Sequence, residues 1–292
     1  MARSILITGA GGQVGHELAA MDRDVNARRI ALSRHQLDIT DRDQIAAAFA
    51  ASSPAIVINA AAYTQVDRAE EEQALAYAIN RDGVANLADA CNSAGVPLLH
   101  ISTDYVFDGS KQGAYLETDP IEPLGTYGES KAAGEAVLRA TLERHIILRT
   151  SWVFSATSNN FVKTILRLGK ERDELGIVND QHGCPTSARS IAEVLLHIAE
   201  RYLRDNKIEW GTYHYCNRPA TTWFEFAEEI FRQSEGYENL KLNAITSSEY
   251  PMPAARPENS VLDCTKLESN FGVMRVNWND ELKLVFDQLR KE

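Results

Sequence analysis

Ile5-Leu6-Ile7-Thr8-Gly9-Ala10-Gly11-Gly12-Gln13-Val14-Gly15 puts an apolar β-branched run, a glycine-rich turn and the start of a helix in immediate succession. Without Cβ atoms, Gly9 and Gly12 let the backbone turn tightly and approach a pyrophosphate. The helix N-terminus behind them offers free amides and a partial positive charge. A glycine pattern alone is a weak signal, and its value depends on what surrounds it. Here short apolar runs recur at 4–8, 30–33, 56–59, 97–102 and 145–150, each reading as a strand buried on both faces, with helical stretches between them. Examples are 41–51, behind a Thr40/Asp43 capping signal, and one long segment over 71–93 that stops before Gly95. The alternation predicts an α/β fold: a doubly wound, Rossmann-like parallel sheet over 1–150 that binds a dinucleotide.

Beyond residue 150 the alternation fades, and loops at 179–187 and 250–259 carry Pro, Asn and aromatic residues. This smaller C-terminal part, 151–292, reads mainly as a substrate-binding region. Helices are expected at 160–172, 187–204 and 223–233, the last opened by a Thr222/Glu225 capping box. The 187–204 helix is expected to pack back onto the sheet. Composition narrows the function. A net charge of −11 leaves no basic face for nucleic acid. No run approaches the roughly 20 apolar residues of a membrane span, and Met1-Ala2-Arg3-Ser4 leads straight into a strand, so a cytoplasmic protein is expected. Cys91, Cys184, Cys216 and Cys264 have neither zinc-site spacing nor disulfide density, and read as reduced thiols in or near the core.

Candidate chemistry follows the strand ends. Asp38, after the second strand, reads equally as a capping neighbour or as a ligand contact beside adenine. Asn59-Ala60-Ala61-Ala62 ends the third strand with small side chains, leaving room for a cofactor. Tyr127 and Lys131 lie four apart, on one face of a helix starting near Thr126, and Ser102-Thr103-Asp104 closes the fourth strand opposite them. Thr103 can hydrogen-bond a substrate carbonyl, and Tyr127 can donate the proton that a hydride-accepting carbonyl needs. A lysine charge ~4 Å away, at an effective dielectric of ~20, would lower the phenol by up to roughly three pKa units. Lys131 is therefore expected to tune Tyr127 and to reach the nicotinamide ribose. After the second strand, Leu32-Ser33-Arg34 stands where an NADH enzyme presents an acid. Ser33 and Arg34 suit a 2′-phosphate, so NADPH is expected, with NADH still usable.

These residues resemble the extended short-chain dehydrogenase/reductase family, and more narrowly its dTDP-4-dehydrorhamnose reductase branch. The resemblance rests on Gly-Gly-Gln-Val-Gly at 11–15, Asn-Ala-Ala-Ala-Tyr-Thr-Gln-Val-Asp at 59–67 and Ser-Thr-Asp-Tyr-Val-Phe-Asp-Gly at 102–109. Arg-Thr-Ser-Trp-Val-Phe at 149–154, Asn-Asn-Phe at 159–161, Asn-Asp-Gln-His-Gly-Cys-Pro-Thr at 179–186 and Arg-Pro-Glu-Asn-Ser at 256–260 extend it over almost the whole chain. It implies Tyr127 as proton donor, Lys131 as its modifier and cofactor anchor, and Thr103 as polariser of a C4 carbonyl. It implies Asp104 and Trp152 as sugar contacts, and a cofactor lined by Gly12, Gln13, Val14, Asp38, Ile39, Ala62, Tyr63 and Thr64. Trp152 also reads as a core aromatic, and Arg256 as either a surface ion pair or a diphosphate contact. Some members of the family bind Mg²⁺ at a dimer contact through acids on two helices. Glu17 fits the first, but Arg189 stands where the second acid belongs, so no metal is expected, and a monomer or weak homodimer. The implied reaction reduces a small nucleotide-sugar substrate for cell-surface polysaccharide. A non-catalytic regulatory subunit, like that of methionine adenosyltransferase, and a reductase or epimerase of another nucleotide sugar are the alternatives.

Overall fold

Five strands, β1 (Ser4–Thr8), β2 (Arg28–Leu32), β3 (Ile56–Asn59), β4 (Leu98–Thr103) and β5 (His145–Thr150), pair in parallel with a sixth, Gly211–His214. They belong to a computed structural model that describes residues 3–23 and 27–291, so the leading Met1-Ala2 lies outside the described residues. The order across the sheet is sixth strand, β5, β4, β3, β1, β2. The chain therefore reverses direction of travel between β1 and β3, and the strand ends there open a crevice. Among the described residues, no helix is long and apolar enough to cross a membrane.

Helices cover both faces: α1 (Gln13–Ala20), α2 (Arg42–Ser52), α3 (Val66–Ala69), α4 (Gln73–Tyr77), α5 (Gly83–Ala94) and α6 (Thr126–Thr141) come from the first half. From the second come α7 (Phe161–Glu171), α8 (Ala188–Asp205), α9 (Trp223–Arg232), α10 (Thr265–Phe271) and α11 (Trp278–Leu289). On one face Leu18 of α1 and the apolar stripe of α8, from Ala188 to Leu203, meet Ile5, Ile7, Ile146 and Leu148. On the other, Val84, Leu87 and Cys91 of α5 and Leu138 of α6 pack on Leu6, Val57 and Ile147. The sheet is thus doubly wound, as its buried apolar strands require.

Local chemistry moves several expected boundaries. α2 is capped by Asp41, whose carboxylate accepts from the amides of Asp43 and Gln44, and Thr40 instead bonds back to Asp38. The expected 71–93 helix is α4 and α5 joined by one wide π turn, Ala78–Asp82. Such turns release a backbone carbonyl and often mark a site. The faded alternation of the second half hides a parallel strand pair, Glu174–Val178 with Lys241–Ile245, around which α7, α9 and α11 bury Phe154, Phe226, Trp278 and Leu282. Asn160, Ser187 and the Thr222/Glu225 box cap α7, α8 and α9. All four cysteines are free and buried. Cys184, Cys216 and Cys264, remote in sequence, share one small core, with Cys216 and Cys264 sulfurs 3.7 Å apart.

Candidate active site

The turn after β1 is built so that only glycine fits at positions 9 and 15. Gly9 takes φ +73°, and a Cβ there would fall 2.4 Å from the amide nitrogen of Ala61; one on Gly15 would fall 2.1 Å from the Gly9 carbonyl oxygen. Real Cβ atoms do not approach that closely, so α1 starts tight against β1 and β3. Gly12 opens α1 without a side-chain cap, which leaves the first amides free. Gln13 ties this turn to the second half: its Oε1 accepts from Ser155 Oγ at 2.8 Å and Asn160 Nδ2 at 3.1 Å. Ser33 lies against the same turn, its Cβ 3.9 Å from a Cβ placed on Gly11, and its hydroxyl donates to Gln36.

From here a cleft of about 420 Å³ runs over the strand ends. It is lined by Gly12, Gln13, Val14, Ala60, Ala61, Ala62 and Thr64 from the glycine turn and the end of β3, by Thr103, Asp104, Tyr127 and Lys131, and by Trp152, Asn160 and Trp223 from the second half. Ile39 and Tyr63 are not in its wall. Ile39 is core, and Tyr63 is buried with its hydroxyl on Glu72 Oε2 at 2.6 Å, so both can act only from beneath. Arg34 and Asp38 form an i,i+4 pair at 3.5 Å, while the Asp38 carboxylate also accepts from Thr40. In the structure the Asp38 carboxylate therefore faces Thr40 and Arg34. Arg256 is an ion pair with Asp67, at 2.7 Å. Where some family members carry the second metal-binding acid, Arg189 pairs with Glu193 at 3.2 Å, and its charge opposes the burial that raises the Glu17 carboxyl.

Electrostatics in the cleft depart from the expected tuning. Burial pushes the Tyr127 phenol up to about 12, opposed by the neighbouring Thr103 hydroxyl, and Lys131 is not among the charges acting on it. The Lys131 ammonium instead donates to the Ile101 carbonyl at 2.7 Å, and burial brings it down to about 8. The expected three-unit drop of the phenol is therefore corrected: desolvation raises it with no opposing charge from Lys131, and the phenol rests protonated, the form a proton donor needs. Thr103 Oγ1 donates to Asp104 Oδ1 at 2.9 Å, and burial lifts the Asp104 carboxyl to about 7.

Five buried side-chain polar atoms among the described residues have no hydrogen-bond partner, and three of them, Ser102 Oγ, Asp104 Oδ2 and Thr150 Oγ1, belong to this cleft. Orphaned polar atoms are costly, and three converging on one cavity mark it as a site for a polar ligand. Trp152 holds φ +45° and stacks flat on Trp223, ring centroids 3.5 Å apart and planes within 8°. A tryptophan in left-handed backbone costs of order 1–3 kcal/mol, strain that persists where surrounding structure demands it. Sequence reasoning missed Trp223, whose only signal is an aromatic directly after the Thr222 cap. It also missed Asn80, which sits in the π turn and bonds the Tyr63 amide at 2.8 Å and Ser130 Oγ at 3.0 Å. Nothing in a single helical-looking run announces that turn.

A glycine cradle at the sheet's switch point, with buried Thr103 and Lys131 and half-buried Tyr127 over the same cleft, defines a short-chain dehydrogenase/reductase. Residues 3–291 match the family described as RmlD substrate binding domain. The chain is 48% identical to the dTDP-4-dehydrorhamnose reductase of Aggregatibacter actinomycetemcomitans, over 97% of this chain and 98% of that one. The crystal structure of a dTDP-4-dehydrorhamnose reductase from Clostridium acetobutylicum superposes with a TM-score of 0.90 at 39% identity, covering 98% of this chain and 99% of that one. That of Bacillus anthracis, in complex with NADP, gives 0.89 at 37%, covering 99% and 100%. The chain belongs to the dTDP-4-dehydrorhamnose reductase family.

Proposed function

We propose that Tyr127, Thr103 and Lys131 carry this family's reaction: Tyr127 gives the proton, Thr103 polarises the carbonyl, and Lys131 anchors the cofactor. The chain reduces the C4 keto group of dTDP-4-dehydro-β-L-rhamnose to dTDP-β-L-rhamnose with NADPH, a step toward polysaccharide. The observation that carries the residue assignment is the convergence of the three side chains in the cleft that also holds the orphaned polar atoms.

The glycine turn fits a dinucleotide, since a Cβ at Gly9 or Gly15 would collide with backbone and destroy the close approach that a pyrophosphate needs. Gly9, Gly12, Gln13, Val14, Ala62 and Thr64 would hold NADPH directly, with Ile39 and Tyr63 as supports. When bound, NADPH supplies the hydride. Thr103 hydrogen-bonds the C4 oxygen, and Tyr127 passes its phenolic proton to that oxygen as charge develops on it. The cleft keeps both groups in place beforehand, which is where most of the rate comes from. Asp104 and Trp152 meet the sugar.

Two consequences are measurable. Arg34, steered by Asp38, pairs with the 2′-phosphate. Arg34→Ala is expected to weaken NADPH by about 1.5–3 kcal/mol, the range for a charged hydrogen-bond partner, and to leave NADH, the less favoured cofactor, nearly untouched. Equal losses for both in a calorimetric titration would remove Arg34 from that role. Trp152→Ala is expected to raise KM for the keto-sugar roughly tenfold, the scale of one lost aromatic contact, with cofactor Kd unchanged. An unfolding free energy lower by several kcal/mol with normal KM would make Trp152 a core residue instead.

The proposed state is a monomer or weak homodimer, because Arg189 stands where a metal-bridged dimer contact would need an acid, and its place is the cytoplasm. Turnover of dTDP-, UDP- and GDP-linked 4-keto-sugars with NADPH tests the whole reading. The dTDP-linked 4-dehydrorhamnose should be reduced fastest, and no turnover of any sugar would favour a non-catalytic regulatory subunit.

A further inference from the structure

Beneath the cleft a line of buried polar groups runs across the sheet to Lys131. Thr8 Oγ1 on β1 donates to Asn59 Oδ1 on β3 at 2.6 Å, and the backbone N–H of Ala61 donates to the same oxygen at 3.0 Å. The Ala61 amide can only donate, so it decides which end of the Asn59 side chain is oxygen. The Asn59 NH₂ group therefore faces His100 Nδ1 on β4, 3.0 Å away. That group has nothing to accept with, which makes Nδ1 the bare nitrogen of the ring. Burial, and the charge of Lys131 after it, hold His100 well below its usual range, so the ring is neutral and its hydrogen sits on Nε2. Nε2 lies 3.3 Å from Lys131 Nζ. An ammonium has three donors and no acceptor and would meet this N–H hydrogen to hydrogen; an uncharged amine meets it with a lone pair and still donates to Ile101.

We propose that His100, its tautomer locked by Asn59 and Ala61, is a positioning residue that turns an N–H toward Lys131 and so loosens the lysine's hold on its proton. Resting on Tyr127 as the proton donor, this gives Lys131 a second task. After each turnover Tyr127 is a phenolate. The Nζ–H bond breaks and the phenolic O–H bond re-forms, the proton crossing the cleft that both side chains line, and the amine regains a proton from water. Around Lys131, His100 stands on β4, Asp104 follows that strand, and Tyr127 and Glu135 lie on its own helix. Glu135 favours the ammonium, but Arg149 and Arg139 already hold its carboxylate, and burial prevails. His145 on β5 acts on His100 in the same sense as Lys131 does.

The direct test is an NMR titration of ¹³Cε-lysine protein without substrate or cofactor, the Lys131 signal identified by its loss in Lys131→Arg. In the wild type it should titrate about two units below the other lysines, which are expected near ~10.4. In His100→Gln, whose carbonyl can swing toward Nζ, the midpoint should rise by about a unit or more, and the alkaline limb of kcat/KM should move up with it. Should that variant not fold, Asn59→Asp serves: its carboxylate draws the ring hydrogen to Nδ1 and frees Nε2 to accept, with the same upward shift. A wild-type Lys131 that titrates with the other lysines, or midpoints that stay fixed in the variants, overturns the proposal. Because the NMR arm needs no substrate, a midpoint that moves while the alkaline limb stays would uphold the lock and refute the recharging of Tyr127.

Discussion

Tyr127→Phe is expected to lower kcat by roughly two or more orders of magnitude, the usual worth of a general acid, while Kd for NADPH hardly changes. The ring is kept, and with it the edge contact to Tyr105, whose centroid is 5.9 Å away, so the fold should not respond. Only the O–H is lost. Burial pushes that phenol up to about 12, so in the wild type it is protonated through the neutral range, and its own titration should not limit the rate below strongly alkaline pH. Single-turnover measurements would separate the chemical step from product release. Near-normal kcat in the variant would take Tyr127 out of the mechanism.

The largest effect on stability is expected from Glu135→Ala. Glu135 is fully buried on α6 and grips Arg149 of β5 with two bonds, Oε1 to Nε at 2.9 Å and Oε2 to Nη2 at 2.7 Å. Arg149, equally buried, lies over the Phe107 ring and beside His214, which burial and the Arg149 charge bring down to about 3, so the imidazole offers no counter-charge. Removing the carboxylate strands a guanidinium inside the protein. Breaking such a pair from one side costs about 3–5 kcal/mol, whereas replacing both partners by apolar groups of similar volume is often neutral. Glu135→Ala should therefore unfold at clearly lower denaturant, and Glu135→Leu with Arg149→Met should recover much of the loss. A single-variant loss below about 1 kcal/mol would mean that water reaches Arg149 and the pair is not truly buried.

Much of the fold is legible in the sequence where a local rule has no competitor. The glycine turn can be read because the backbone excludes any side chain at Gly9 and Gly15, and β1, β3 and β5 because a short, continuous apolar run between turns suits a strand buried on both faces and little else. Tyr127 and Lys131 can be read as a pair because their helical spacing agrees with its context, a helix opening after the strand that Ser102-Thr103-Asp104 closes. What escapes depends on contacts made across the sheet. His100 sits in an apolar strand and reads as a core residue; its meaning comes from Asn59 on the neighbouring strand and Lys131 above. The tuning of Tyr127 is not legible, because spacing says nothing of desolvation, which raises the phenol here while Lys131 turns to Ile101 and His100. Gly211–His214 escapes as a strand because four residues beside a helix end carry too little pattern to stand out.

That short sixth strand has a consequence for how the protein is made. It pairs Gly211 with Ile146 and His214 with Arg149, closing the edge of β5 with residues some sixty positions later in the chain. A nascent chain released as far as β5 presents an open row of amides and carbonyls, flanked by the apolar face that α8 will cover, until the ribosome has added those residues. Exposed edges of this kind invite pairing between chains. The interval between synthesis of β5 and arrival of its outer partner is therefore when this protein most needs a chaperone, and a chain cut after Thr150 would carry that liability permanently.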